Sequence, residues 1–261
     1  MKITSLVENT KSREELGAEH GLSLYIETGG KRLLFDMGQT DMFEQNAKLL
    51  GLDLSKVDLA ILSHGHYDHG GGLKRFLEIN KTAPVYLSSY AFGEHFHGTF
   101  KYIGLNQELK KEKRLFFINS TLKIAEGITV YPRLEKEKKY LPDSGLMRKE
   151  GDKFQEEDFR HEQYLLVEEG EKRVLFSGCS HGGILELAEK FSPDYLIGGF
   201  HFSKLPIDNR LEEYTNLLGK LPIQYYTCHC TGKQQYDFMK EKMRNLFYLA
   251  GGDVLEIRSD Y

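Results

Sequence analysis

The run Ser63-His64-Gly65-His66-Tyr67-Asp68-His69-Gly70-Gly71-Gly72 constrains this chain more than any other stretch. Three histidines and an aspartate fall within six positions. The preceding segment, 57–62, is apolar and reads as a short buried strand. The glycines that follow read as a tight loop, and Leu73-Lys74-Arg75-Phe76-Leu77 as the first turns of a helix. The cluster therefore belongs on a loop at the carboxyl end of a strand, where α/β proteins place their chemistry. Neutral imidazoles and a carboxylate suit a borderline cation, zinc first, with iron or manganese as alternatives. Four such groups are too many for one tetrahedral ion on a short loop. In an extended segment alternate side chains point the same way, so His64 and His66 are expected to grip one ion. Asp68 and His69 are expected to reach a second. Two ions ~3.5–4 Å apart can share a hydroxide and clamp both ends of a displacement.

Further glycine- and histidine-rich stretches follow strand-like runs. They are Ser177-Gly178-Cys179-Ser180-His181-Gly182-Gly183, Ile197-Gly198-Gly199-Phe200-His201 and Thr227-Cys228-His229-Cys230-Thr231-Gly232. With the H-x-H-x-D-H run and Leu34-Phe35-Asp36-Met37-Gly38, they resemble the metallo-β-lactamase superfamily. The resemblance is to a branch that holds dihydropterin–aminobenzene ribose phosphate synthases and related metal-dependent hydrolases. It implies an α/β fold, a four-layer αββα sandwich of two mixed sheets flanked by helices, as one domain over residues 1–261. It implies a binuclear centre with His64, His66 and His161 on one ion and Asp68, His69 and His229 on the other. Glu162 is the alternative to His161. Cys179 stands where the superfamily carries a metal-bridging aspartate, as a ligand to either ion or as a small buried thiol. Asp68, His201 and His181 are the candidate catalytic groups, Asp68 as proton acceptor and the histidines as acids to a leaving group. Asp36 is read either as the acceptor that orients a ligating histidine or as a turn residue.

The remaining chain adds a pocket and an excursion. Tyr90 to Gly104 holds His95, His97, Lys101 and Tyr102 among aromatics and glycines, and is expected to line a substrate pocket, with a structural role or a further metal site at His95-x-His97 as alternatives. Lys101 is placed to pair with an anionic group. His20 reads as a loop histidine, with a substrate role as the alternative because the resemblance implies that the chain here lies near the active-site mouth. Residues 134–160 are densely charged and contain Pro142 and Gly145, and read as a long loop, with a lid as the sharper version. The start of the helix after His181 offers backbone N–H groups to an anion. Cys228 and Cys230 flank His229 and are expected to point away from it as buried thiols.

Composition limits the functional classes. A net charge of −4 gives no reason to expect nucleic acid as a partner. No apolar run approaches the ~18 residues of a membrane span. Three cysteines, an odd number, argue against a disulfide framework and for a reducing cytoplasm. The expected activity is metal-dependent hydrolysis, by a metal-activated hydroxide, of an anionic phosphate-containing or pterin-like small molecule. Carbon–nitrogen bond formation, as in the synthases of the branch, is one alternative. A di-iron redox protein is another.

Overall fold

The computed structural model describes residues 1–133 and 145–258. Numbered along the chain, the first strands are β1 (Lys2–Val7), β2 (Ser23–Thr28), β3 (Lys31–Phe35), β4 (Leu59–Ile61), β5 (Val85–Ser88), β6 (Glu94–His97), β7 (Lys101–Tyr102), β8 (Leu115–Ile118) and β9 (Leu122–Ala125). They continue as β10 (Ile128–Pro132), β11 (Leu146–Glu150), β12 (Lys153–Glu156), β13 (Gln163–Glu169), β14 (Lys172–Ser177), β15 (Tyr195–Gly198), β16 (Gln224–Thr227), β17 (Leu246–Tyr248) and β18 (Val254–Glu256). The α-helices are α1 (Met42–Leu49), α2 (Tyr67–Gly70), α3 (Leu73–Ile79), α4 (Ile184–Phe191), α5 (Asn209–Gly219) and α6 (Lys233–Lys240).

Two seven-stranded sheets carry the fold, in the orders β18-β1-β2-β3-β4-β5-β8 and β17-β16-β15-β14-β13-β10-β9. Each is mixed. In the first, β1, β2 and β3 are antiparallel, whereas β3, β4, β5 and β8 run parallel. In the second, β14 to β17 are parallel and β14, β13, β10 and β9 antiparallel.

Strand alternation explains the layering, because successive side chains leave opposite faces of a sheet. Leu33 and Phe35 of β3, with Leu165, Val167, Val174 and Phe176 of the other sheet, form the core between the sheets. Leu34 faces outward onto Phe43 and Ala47 of α1 and Leu73 and Phe76 of α3. Leu166 and Leu175 face outward onto α4, α5 and α6 through Ile184, Leu211 and Met239. Each large apolar side chain buried this way contributes roughly 1.5–3 kcal/mol. The result is a four-layer αββα sandwich.

Two sequence expectations change. The charged excursion is not a loop where it is described: β11 and β12 form a hairpin that pairs through β11 with β6 in a small sheet, β12-β11-β6-β7. Backbone pairing, the Phe96–Phe154 ring contact at 5.1 Å and ion pairs of Arg148 and Arg160 with Asp158 hold it, so no apolar alternation marks it. Residues 134–144 of that excursion, and with them the lid reading, lie outside the described residues. The tail, Leu246 to Ile257, reads from its sequence as one short edge strand; it forms two, β17 extending the second sheet and β18 the first.

Candidate metal centre

The chemistry-bearing loops leave the carboxyl ends of parallel strands from both sheets. Asp36 follows β3, Ser63 to His69 follow β4, Cys179 and His181 follow β14, His201 follows β15 and His229 follows β16. Parallel strands expose such ends together, so residues distant in sequence meet along one edge of the sandwich. The chain has ten histidines, and every one is in or beside this region. Close approach demands glycine here. A Cβ on Gly178 would sit 2.1 Å from Ser63 Oγ, and one on Gly198, at φ 138°, would sit 1.7 Å from the Ser177 carbonyl oxygen.

The backbone is strained at the same place. Among the described residues six non-glycine residues have positive φ, and Asp36, Phe159, Ser180, His201 and His229 are five of them. Each such residue costs ~1–3 kcal/mol, and such costs concentrate at functional sites.

Hydrogen bonds set the tautomers. With Asp36 ionised, its Oδ2 accepts from His69 Nδ1 at 2.7 Å and from Ser63 Oγ at 2.6 Å, and its Oδ1 from the Ser63 amide at 2.7 Å. Having donated to Asp36, Ser63 Oγ accepts from His64 Nδ1 at 2.9 Å. His229 Nδ1 donates to Asn9 Oδ1 at 2.9 Å. The Nε2 atoms of His64, His69 and His229 are thereby left as lone pairs. His69 Nε2 and His229 Nε2 face each other at 3.2 Å, and Cys179 Sγ is 3.2 Å from His69 Nε2. Asp36 therefore orients a candidate ligand and is not a simple turn residue. Burial pushes its carboxyl up to about 8, against the Ser63 bonds that pull it down; a cation at His69 favours the ionised form.

These groups fit a cation. Burial holds His64, His66, His161 and His181 neutral, well below the usual imidazole range, and takes His69 to about 3. The Nε2 atoms of His64, His66, His95 and His161, and both ring nitrogens of His181, are buried with no hydrogen-bond partner. Unpaired buried nitrogens cost ~1–3 kcal/mol each unless something satisfies them. Ligand atoms mutually within 4.8 Å form the groups His64–Cys179–His181, His69–Cys179–His229, His64–Asp68–His69, His20–Asp68–His229 and His66–His95–His161.

The fold brings Asp68, His69 and His229, the expected second set, close to one another: Asp68 Oδ2 is 3.4 Å from His229 Nε2 and 3.9 Å from His69 Nε2. The first set is rearranged. Strand β4 ends at Ile61, the chain bends at His64 and Gly65, and α2 begins at Tyr67, so simple alternation does not hold. His64 joins Cys179 and His181, and His66 joins His95 and His161, although the His64 and His66 rings stay 4.6 Å apart. Glu162, the alternative to His161, is occupied: it accepts from Tyr164 Oη and from the His181 and Gly182 amides. Its carboxylate thus fills the anion cradle expected there. Burial lowers His201 to about 4, so His201 and His181 start as neutral rings and are poorly set to act as acids at neutral pH.

The pocket residues divide. A cleft of about 190 Å³ is lined by His97, Lys101, Asp68, His181, His201 and His229, among others. His95 does not line it. It is buried, its Nδ1 bonded to Glu157 at 2.7 Å, and it faces a separate cleft with His161. Tyr102 is also turned away, its hydroxyl donating to the Leu105 carbonyl at 2.8 Å. Cys230 sits in a 3₁₀ turn that ends strand alternation, and lines the cleft beside Cys179, whereas Cys228 is buried in the core between the sheets. His20 lies at the cleft, in the region where the resemblance put it, and sequence reasoning missed two further contributors, Tyr67 and Lys204. His20 Nε2 lies 3.3 Å from Asp68 Oδ2, and Tyr67 and Lys204 line the cleft. Lys204 Nζ is 2.8 Å from His97 Nε2. No local pattern marks Lys204; only folding brings it opposite Lys101.

Comparison with known proteins agrees with the geometry. An uncharacterized protein of Methanocaldococcus jannaschii is 31% identical over 98% of this chain and 100% of its own length. The 7,8-dihydropterin-6-methyl-4-(beta-D-ribofuranosyl)-aminobenzene-5'-phosphate synthase of the same organism is 30% identical over 98% of this chain and 96% of its own. A crystal structure of a metal-dependent hydrolase of the beta-lactamase superfamily superposes with a TM-score of 0.85 at 28% identity, covering 99% of this chain and 100% of that one. The Metallo-beta-lactamase superfamily profile matches residues 16–221. The chain belongs to the metallo-β-lactamase superfamily.

Proposed function

We propose that the protein is a metal-dependent hydrolase of an anionic, phosphate-bearing small molecule. One observation carries this reading: a floor of buried, neutral, unpartnered imidazoles lies under a cleft whose rim holds two lysines. Among the described residues, Lys101 reaches only Tyr67 Oη, at 3.4 Å, and Lys204 only His97; neither has a carboxylate partner. Two unpaired cations at a cleft mouth favour an anion. A bound divalent metal supplies Lewis acidity there and makes water nucleophilic at neutral pH.

The chain's own residues do the rest. His20 holds the Asp68 carboxylate from the solvent side, and Asp68 is poised to take the proton of attacking water. His201, neutral and on a strained turn, offers a hydrogen bond to the leaving oxygen. Lys101 and Lys204 hold the substrate's anion.

The test is a panel of phosphomonoesters and phosphodiesters, with and without chelation. Turnover should vanish with the metal and return on its addition. Lys204→Ala should raise KM about tenfold with kcat little changed, as for one lost charge-assisted contact. Turnover that persists in metal-stripped protein refutes the proposal.

The synthase at 30% identity favours a second reading, carbon–nitrogen bond formation between a dihydropterin and an aminobenzene ribose phosphate. Incubating both compounds with the metal-loaded protein separates the two: coupled product supports the synthase, and phosphate release without coupling supports the hydrolase.

A further inference from the structure

The resemblance gives one ion to His64, His66 and His161, but hydrogen bonding separates His161 from that role. The Gly65 amide donates to His161 Nδ1 at 2.9 Å. The Nδ1 lone pair is therefore spent, and the neutral ring carries its proton on Nε2. That nitrogen lies 3.8 Å from Glu157 Oε1, on the side where a proton is favoured. A protonated nitrogen does not ligate a cation. His161 instead holds the peptide between His64 and His66 in place.

His181 has the opposite character. It is 3% exposed, and neither of its ring nitrogens has a partner. Its ring stacks on Phe159 at 4.3 Å and 7°. Glu162 clamps its loop through the His181 and Gly182 amides at 2.7 Å each. The rings of His64, His66 and His181 stand mutually edge-on, at 4.6, 5.0 and 5.2 Å and interplanar angles of 81°, 78° and 81°. The Nε2 atoms of His64 and His66 and both ring nitrogens of His181 are buried without a hydrogen-bond partner, and a ligand atom of His181 lies within 4.8 Å of those of His64 and Cys179. Cys179 Sγ lies within 4.8 Å of ligand atoms of His64 and His181, and equally of His69 and His229.

We propose that His181, not His161, completes the first cation site with His64 and His66, and that Cys179 is shared between this site and that of Asp68, His69 and His229. A shared thiolate suits a borderline cation such as zinc, cobalt(II) or iron(II). The proposal rests on the metal-dependent reading above and assigns its ligands.

The test needs no substrate. The full chain is stripped with a chelator and reloaded with cobalt(II), and bound cobalt and the thiolate-to-cobalt charge-transfer band are measured. The wild type should hold two equivalents and show the band. His181→Ala should fall to one equivalent. His161→Asn, which keeps an acceptor for the Gly65 amide, should retain two.

Because His181→Ala could unfold the loop, His181→Cys and His161→Cys supply a gain of signal. A new thiolate at position 181 should roughly double the band, and one at position 161 should leave it unchanged. A stronger band from His161→Cys, or an equivalent lost from His161→Asn but not from His181→Ala, overturns the ligand assignment and leaves the metal-dependent reading standing. A wild type that binds no cobalt overturns both. A Cys179→Ser variant that keeps the full band overturns the shared thiolate.

Discussion

Asp36 shows how one residue sets the chemistry of its neighbours. Fully buried, it accepts three hydrogen bonds, two from Ser63 and one from His69, and through Ser63 it also orients His64. Asp36→Asn keeps the shape but puts an amide N–H₂ where a carboxylate oxygen accepts. The expected cost is ~1–3 kcal/mol of stability, seen in denaturant unfolding of the metal-free protein. Metal affinity should fall ~10–100-fold, seen in competition with a chelating dye. Unchanged affinity would mean that the His69 ring is held by packing alone. Asp68, His64, His69 and His229 were legible in sequence as candidates because the polar runs that hold them follow apolar strand segments. Lys204 was not, because nothing near it in the chain differs from an ordinary surface loop.

At the scale of elements, helices α1 and α3 are tied by charge across their outer face. Arg75 Nε donates to Glu44 Oε2 at 2.6 Å, and Lys48 Nζ pairs with Glu44 Oε1 at 2.6 Å. Arg75 beside it holds the Glu44 carboxyl down at about 2, well below the usual carboxylate range. A depressed acid stabilises the fold above its unfolded pKa, and that contribution is lost as pH falls through the folded one. The loss belongs between pH 4.5 and about 2. Arg75→Ala should therefore lower Tm near neutrality and flatten the decline of Tm across that acid window, read by thermal unfolding at several pH values. An unchanged acid slope would show that other carboxylates dominate. The small sheet teaches a related lesson. Strands β11 and β12 carry Arg148, Lys149, Glu150 and Lys153, a pattern that reads as solvated loop. They are strands because β6 supplies a partner edge, and Leu146 accepts the Glu157 amide at 3.0 Å, next to the His95 contact.

For the whole molecule, the centre joins two sheets. Asp36, His64 and His69 come from the first and Cys179, His181 and His229 from the second, so a bound cation cross-links the halves of the sandwich. Ligand that binds only the folded state stabilises by ~2.7 kcal/mol at a concentration 100 times Kd. Chelation should lower Tm by several degrees and readdition should restore it; a Tm indifferent to the metal would place the ligands on one rigid half. No helix among the described residues is long and apolar enough to cross a membrane. What the sequence determined by itself was local: short apolar runs for strands such as β4, the helix start that follows the glycines at 70–72, and the H-x-H-x-D-H loop at a strand end. Those follow from interactions between near neighbours, which periodicity records. Which histidines share a volume was decided only by tertiary structure. The ring tautomers depend on distant partners, Gly65 for His161, Asn9 for His229 and Asp36 for His69, and a hydrogen bond between residues far apart in the chain leaves no mark on the sequence around either one.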